Sequence, residues 1–140
     1  MDDSPTSSLF SCISFNCHGF NQGITCLQSL CDDNTSVIFL QETWLSLEYS
    51  ALNFNCFAAD YKLFYSSAME DKLSSNILRG RPFGGLCTLI NKKICDLFSS
   101  VICICAKPNY IIVKADNLLF IKIYFPSAVP VSSRDSLSYS

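Results

Sequence analysis

Hydrophobic and polar positions change their pattern twice within the first third of the chain. From Leu9 to Phe15 they alternate roughly, which is typical of a strand with one buried face. The wholly apolar run from Val37 to Leu40 predicts a strand that is covered on both faces. Between them, apolar residues recur at helical spacing until Asp32-Asp33-Asn34 provides a stop. The pattern therefore predicts a strand, a crossover helix and a second strand parallel to the first.

The remainder of the chain predicts one more helix and a series of strands. Thr43 to about Cys56 has a helical pattern that includes Tyr49 and Leu52, and Ser46 is its expected N-cap. The strand predictions that follow are Tyr61 to Tyr65, Leu86 to Ile90, Val101 to Cys105, Tyr110 to Lys114 and Leu118 to Phe125. The resulting fold class is α/β (α+β), a mixed layer structure.

The connections between these elements also have readable signals. Asp116-Asn117 predicts a two-residue hairpin turn, because both residue types tolerate positive φ. Gly84-Gly85 predicts a tight backbone approach before a strand. The polar stretch from Ser66 to Phe83 predicts a long exposed loop. We expect one domain over residues 9–126, with a polar tail at 1–8 and a fraying tail at 127–140.

Two polar residues follow the first two predicted strands. Asn16 comes directly after the first strand, and Glu42 comes just after the second. Both strands of a parallel pair end at the same edge of the sheet, so we expect these side chains to meet where ligands of open α/β sheets usually bind. An amide and a carboxylate at one edge suit a hard cation and a phosphate.

Composition limits the class of protein without naming a function. Of the 140 residues 49% are hydrophobic and 13% aromatic, which predicts a globular core. No apolar run approaches the roughly 18–20 residues needed to cross a bilayer. The start of the chain is acidic and lacks a signal-peptide pattern, so we expect an intracellular protein without a membrane partner.

Nine cysteines raise the questions of disulfides and zinc. An odd count without a secretory signal argues against a disulfide framework, and no Cys-x-x-Cys pair occurs. Cys103 and Cys105 come nearest, but alternate residues of a strand do not form a closed cluster. We therefore expect most of the cysteines to act as small hydrophobes.

Charge is distributed unevenly along the chain. The net charge of −2 gives little overall attraction to phosphate. The segment from Lys62 to Lys93, however, holds six of the ten basic residues and only two of the 12 acidic ones. This segment is either an ordinary solvated face or an edge that follows a phosphate backbone, and both interpretations stay open.

Four short strings, in order along the chain, resemble the endonuclease/exonuclease/phosphatase superfamily. They are most similar to the apurinic-type endonuclease domains of LINE-like (non-LTR) retrotransposons. The strings are Phe15-Asn16-Cys17-His18-Gly19, Leu40-Gln41-Glu42-Thr43-Trp44-Leu45, Arg81-Pro82-Phe83-Gly84-Gly85 and Ile123-Tyr124-Phe125-Pro126. The resemblance covers the first half of that fold, and the late Asp and His motifs have no counterpart here. It implies a partial two-sheet α/β sandwich, truncated after its first half.

The resemblance also implies roles for individual residues. Glu42 matches the family's metal-ligating carboxylate, with Mg²⁺ as the implied and weakly bound cofactor; without the resemblance it is a surface acid near a helix start. Asn16 matches an amide that holds phosphate or water, or else is a turn residue. Tyr124 matches a tyrosine that donates to the phosphoryl oxygen, or else is a buried tyrosine.

Further residues are implied only as contacts. His18 is expected to be a loop residue that touches phosphate and not the general base. Arg79 and Arg81 lie in the basic segment and are implied contacts to phosphate or DNA, which is the partner of the parent domain.

Three functions remain open at this point. The first is the N-terminal fragment of a metal-dependent endonuclease of retrotransposon origin that is not catalytically competent alone. The second is a non-catalytic remnant or binding protein. The third is a fragment of another superfamily branch, such as a phosphatase or an RNA-processing nuclease.

Overall fold

The computed structural model describes residues 10–70 and 83–125. Within these ranges lie seven strands, three α-helices and one 3₁₀ turn. The strands are β1 (Cys12–Asn16), β2 (Val37–Gln41), β3 (Tyr61–Ser66), β4 (Leu86–Asn91), β5 (Val101–Lys107), β6 (Tyr110–Ala115) and β7 (Leu118–Ile123). The helices are α1 (Phe20–Asp32), α2 (Leu47–Phe54) and α3 (Lys92–Cys95), and the 3₁₀ turn is Asn55–Phe57.

The first sheet has the strand order β1-β2-β4-β3. Strands β1 and β2 are parallel, as the crossover pattern predicts, and Asn16 lies opposite Gln41 at their shared end. Strand β4 pairs antiparallel with both β2 and β3. All six residues of β4 are buried, because it is a central strand with a covered face on each side.

Helix α2 corrects part of the sequence prediction. The predicted cap is confirmed, since the Ser46 hydroxyl accepts a hydrogen bond from the Tyr49 amide at 3.2 Å. The helix starts later than predicted, at Leu47. Tyr49 and Leu52, whose spacing predicts this helix, are 57% and 65% exposed and lie on its solvent-facing side. The buried face holds Ser50 and Phe54.

The second sheet is an antiparallel meander of β5, β6 and β7. The predicted turn between β6 and β7 is confirmed, with Asp116 at φ +52°. The Asp116 carboxylate also accepts hydrogen bonds from the Ser99 and Ser100 amides at 3.0 Å each, which ties this turn to the start of β5. Strand β7 is shorter than predicted and ends at Ile123, so Tyr124 follows the strand.

Two apolar cores define three layers. One core lies between the helices and the first sheet and contains Leu27, Phe54 and Leu89. In it, the rings of Phe20 and Phe54 join α1 to α2, edge to face at 5.1 Å. The second core lies between the two sheets and contains Ile90 and Ile111 among others. This arrangement confirms the predicted mixed α/β fold with two packed sheets.

The cysteines behave only partly as predicted. All nine are free thiols. Cys17 and Cys87 are buried, and burial raises the pKa of Cys17 to about 12, as expected of an inert core thiol. Cys12, Cys26, Cys56 and Cys103 are exposed, however, because an apolar run in a strand or helix also has a solvent-facing side. These four do not pack as core hydrophobes, whereas the other five cysteines are buried or partly buried.

No helix in residues 10–70 and 83–125 is long and apolar enough to span a membrane. The predicted tails and most of the predicted loop at 66–83 lie outside the described residues. In the described part, Ser66 ends β3 and Ser66, Ser67 and Met69 are buried, so the prediction of an exposed loop is wrong there.

Candidate active site

The shared end of β1 and β2 positions the candidate site. Beyond the last paired residues, Cys17 donates its amide hydrogen to the Gln41 carbonyl at 2.9 Å, and Gly19 donates to the Glu42 carbonyl at 2.8 Å. Phe20 then donates to the Thr43 carbonyl at 2.9 Å as α1 begins. The two segments that leave the strands are therefore joined by backbone hydrogen bonds, and Asn16 and Glu42 stay at one edge as predicted.

Glu42 has a backbone conformation that side chains rarely adopt. Glu42 and Trp44 both have φ of +60°, in the left-handed region. The surrounding backbone holds this turn, since Thr43 donates to the Gly85 carbonyl at 3.2 Å and Trp44 to the Gly84 carbonyl at 2.8 Å. A Cβ at Gly85 would collide with the Thr43 hydroxyl oxygen, so the predicted tight approach of the glycine pair is confirmed. Left-handed non-glycine residues cluster at functional sites.

The Glu42 carboxylate connects the two sheets. Its Oε1 accepts a hydrogen bond from the Trp44 indole Nε1 at 2.7 Å, and its Oε2 accepts one from the Tyr124 hydroxyl at 2.6 Å. Both bonds have the short length typical of a charged acceptor. The carboxylate is half-buried, and its orientation is fixed from two sides.

Tyr124 enters the site from the end of the second sheet. Its amide donates to the Asn109 carbonyl at 2.9 Å, which anchors the backbone just beyond β7. Partial burial and the neighbouring Glu42 carboxylate raise the pKa of Tyr124 to about 12. The hydroxyl therefore remains protonated, and a donor, at neutral pH.

Asn16 forms a turn in addition to lying at the predicted edge. Its Oδ1 accepts a hydrogen bond from the His18 amide at 2.9 Å, and His18 has φ +51° with an exposed side chain. The turn alternative is thus observed. It uses the acceptor oxygen of Asn16, whereas a phosphate oxygen would need the donor –NH₂ group of the same side chain. The two roles are chemically compatible.

Sequence reasoning missed Lys122, which is 7% exposed. Its Nζ donates to Gln41 Oε1 at 2.6 Å and to the Ser14 hydroxyl at 3.3 Å, beneath the edge that presents Glu42. Burial lowers the pKa of this ammonium group. The period of two along β7 was the available signal, because it places Phe120, Lys122 and Tyr124 on one face.

The side chains at this edge offer one carboxylate, that of Glu42, as a metal ligand. Each Glu42 oxygen accepts one hydrogen bond in the structure and has a further lone pair. In the described ranges no group of three His, Cys, Asp or Glu side chains could hold a metal ion. A single carboxylate with several retained waters is a mode of binding that Mg²⁺ accepts and zinc does not. The metal role of Glu42 remains a prediction, and Arg79 and Arg81 lie outside the described residues.

Comparison with known proteins gives a likeness of fold. No family model matches the chain, and neither does any curated protein sequence. Solved structures do match, and two of them have a TM-score of 0.50 and 14% sequence identity, over 80% of this chain and 40% of theirs. They are a 3′ phosphatase, NExo, from Neisseria bound to a product DNA hairpin, and the 3′-5′ exonuclease NExo from Neisseria meningitidis. The chain therefore shares part of the fold of these exonuclease/phosphatase structures and spans about 40% of their length.

Proposed function

We propose that this chain is the N-terminal part of a metal-dependent, phosphodiester-cleaving endonuclease domain of retrotransposon origin, with DNA as the partner of the complete domain. The observation that supports it best is the 2.6 Å hydrogen bond from Tyr124 to Glu42. Two residues 82 positions apart, each chosen from a different string, meet at one strand-end edge. The retrotransposon origin is supported by the residues of the four strings. The structural likeness does not distinguish branches of the superfamily.

The three site residues would have different roles in binding a phosphodiester. Glu42 would hold Mg²⁺, which when bound supplies charge stabilisation on the phosphate. Tyr124 is a protonated donor for a phosphoryl oxygen, and the Asn16 amide is a second donor at the same edge. Tyr124 has a single hydroxyl hydrogen, so it donates either to Glu42 or to the substrate. Phosphate binding therefore requires the hydroxyl to turn away from the carboxylate.

We further propose that this chain alone does not cleave. Hydrolysis needs a group that activates or positions water. The resemblance gives that task to late Asp and His motifs, which are not among the four strings of this sequence. His18 is exposed on its turn and its backbone, not its ring, contacts Asn16. Losing one preorganised catalytic donor typically costs about 10²–10³ in rate, so the lack of several leaves little activity.

Nicking of supercoiled plasmid tests this part of the proposal. We expect the purified chain to stay at background in Mg²⁺. Extension through a related downstream sequence should restore nicking, and Glu42→Ala in the extended protein should abolish it. Robust nicking by the chain itself, lost on Glu42→Ala, would show instead a minimal but complete nuclease.

Calorimetric titration with Mg²⁺ tests the metal role directly. We expect weak binding that Glu42→Gln removes, because one carboxylate and several waters give little chelation. Glu48→Gln is the matched control, since Glu48 is an exposed acid in the first turn of α2. Equal affinities for wild type and Glu42→Gln would refute the assignment.

A second candidate function is processing of DNA 3′ ends, which the names of the two structural neighbours favour. An extended protein that releases phosphate from a 3′-phosphorylated hairpin, but leaves supercoiled plasmid intact, would support this branch over an endonuclease.

A further inference from the structure

A cavity of about 260 Å³ lies between the start of α1 and the turn after β2. Glu42 does not line it, but Trp44 does, and the Trp44 indole donates a hydrogen bond to the Glu42 carboxylate. The cavity lining combines flat or branched apolar side chains with polar ones. The apolar side chains are Phe20, Trp44 and Leu45, and the polar ones are His18, Asn21 and Gln22. Sites for drug-sized ligands usually measure about 300–1,000 Å³, so this cavity suits a single ring system.

Trp44 is held as a rigid wall of the cavity. Its indole Nε1 donates to Glu42 Oε1 at 2.7 Å, which fixes the ring relative to the site carboxylate. The other support is Gly19, where an added Cβ would stand only 2.5 Å from Trp44 Cε3. Glycine at position 19 therefore lets the backbone approach the indole closely. A fixed aromatic face is the surface on which nucleic-acid bases stack.

The polar side chains of the cavity can form hydrogen bonds with the edge of a bound aromatic ring. Asn21 and Gln22 are exposed at the start of α1, and their amides offer both donors and acceptors. The ring edges of the bases likewise combine donors and acceptors. The cavity therefore supplies stacking and hydrogen bonding together.

We propose that this cavity is a nucleobase subsite that holds one unstacked base next to the phosphate at Glu42. The position of that phosphate rests on the proposed function. The contact with the base needs neither metal nor hydrolysis, so it can be tested separately. It would make single-stranded or distorted DNA, rather than intact duplex, the ligand of this half of the domain.

Trp44 is the only tryptophan in the chain, so its fluorescence reports directly on the cavity. The probe is a single-stranded DNA trinucleotide, titrated in EDTA, and the control ligand has an abasic tetrahydrofuran residue in the central position. We expect saturable quenching by the base-containing trinucleotide and at least about fivefold weaker binding of the abasic one, the lower end of what base stacking contributes. Titration of free indole corrects for absorption by the bases.

Two glutamines of α1 provide a matched pair of variants. Gln22→Ala, in the cavity, should weaken the base-containing ligand several-fold and leave the abasic one unchanged. Gln28→Ala, also exposed on α1 but outside this cavity, should change neither. Equal quenching by both ligands, no quenching, or equal effects of the two variants would overturn the subsite. If the wild type shows base-dependent quenching but no Mg²⁺ binding in the calorimetric titration, the proposed function would be overturned and the subsite would be supported.

Discussion

The two sheets of this protein differ in how completely they are covered. Helices lie on one face of the first sheet and the second sheet lies on the other, so every residue of β4 is buried. In β7 of the second sheet, burial alternates instead. Among the described residues, the outer face of the second sheet exposes apolar side chains to solvent at 48–52% of their surface: Ile102, Ile104, Leu119, Ile121 and Ile123.

The difference matters because the site depends on both sheets. Glu42 belongs to the end of the first sheet, whereas Tyr124 and Lys122 come from the covered face of the second. A contiguous exposed apolar face is unusual for a soluble monomer and marks either an interaction site or an aggregation hazard. The half of the site contributed by the second sheet therefore rests on the less protected layer.

The largest effect should come from matched leucine truncations in the two sheets. Leu89 is 0% exposed in β4, and Leu119 is 51% exposed on the outer face of the second sheet. We expect Leu89→Ala to lower the free energy of unfolding by about 2–5 kcal/mol, because it leaves a cavity. Leu119→Ala should cost about 0.5 kcal/mol or less. Urea denaturation measures both, and equal losses would show that the outer face is covered in solution.

The next prediction concerns self-association through the outer face. We expect the wild-type chain to be poorly soluble or to scatter light strongly, since an exposed apolar sheet face promotes aggregation. Ile121→Lys should reduce the scattering several-fold. Leu52→Lys is the control, because Leu52 is 65% exposed on helix α2 and lies outside that face. A sharp two-state thermal transition from a wild-type monomer would contradict this expectation.

The sequence predicted local elements and the site edge well, and for physical reasons. Strand and helix periods are local, and the parallel crossover requires Asn16 and Glu42 to share an edge. The match of Tyr124 to a known string predicted a third site residue. Its hydroxyl contacts Glu42, and its role at the site stays a prediction. These features depend on short stretches of chain or on one topological rule.

The features that sequence could not predict depend on which faces come together. Helical spacing groups Tyr49 with Leu52 but does not say that their side of α2 faces solvent. The period of two along β7 groups Lys122 with Phe120 and Tyr124, but it does not say that their face, rather than the wholly apolar opposite one, is the covered face. Burial of a lysine also runs against the usual preference of that residue. Such facts arise only when the sheets pack.

The next prediction compares the two sheets through the ionisation of one tyrosine in each at high pH. Tyr61 in the first sheet donates to the Thr35 carbonyl at 2.7 Å, and Tyr124 donates to Glu42. The pKa of each is raised from 10.0 to about 12, mainly by burial. Each protonated hydroxyl therefore stabilises the fold below pH 10 and ceases to do so as the pH rises through about 12.

We expect the unfolding free energy to fall between pH 10 and pH 12, and the fall to shrink in Tyr61→Phe and, to a smaller extent, in Tyr124→Phe. Tyr61 should have the larger effect because it is 2% exposed and Tyr124 is only half-buried. Denaturation at several pH values measures this difference. If the unfolding free energy falls by the same amount in wild type and Tyr124→Phe, the ionisation of Tyr124 does not contribute to the pH dependence.

The smallest expected effect comes from comparing a lysine on each face of the second sheet. Lys122 is buried on the covered face, and Lys114 is exposed on the other. Burial lowers the pKa of Lys122, so its charge costs stability at neutral pH, and this cost declines as the pH approaches 10.5. We expect Lys122→Met to raise the unfolding free energy by up to about 1 kcal/mol at neutral pH, since Met replaces a buried charge with an apolar chain of similar length.

Removal of Lys122 should leave no partner unsatisfied, because the Ser14 hydroxyl also lies 3.4 Å from Gln41 Oε1 and can donate to it. Lys114→Met is the matched control and should give no gain. The gain from Lys122→Met should shrink with rising pH, as the wild-type ammonium loses its proton. Destabilisation by Lys122→Met at neutral pH would mean that its 2.6 Å bond to Gln41 outweighs the cost of burying the charge. Lys122 would then be an attachment point that secures the second sheet to the strand end of Glu42.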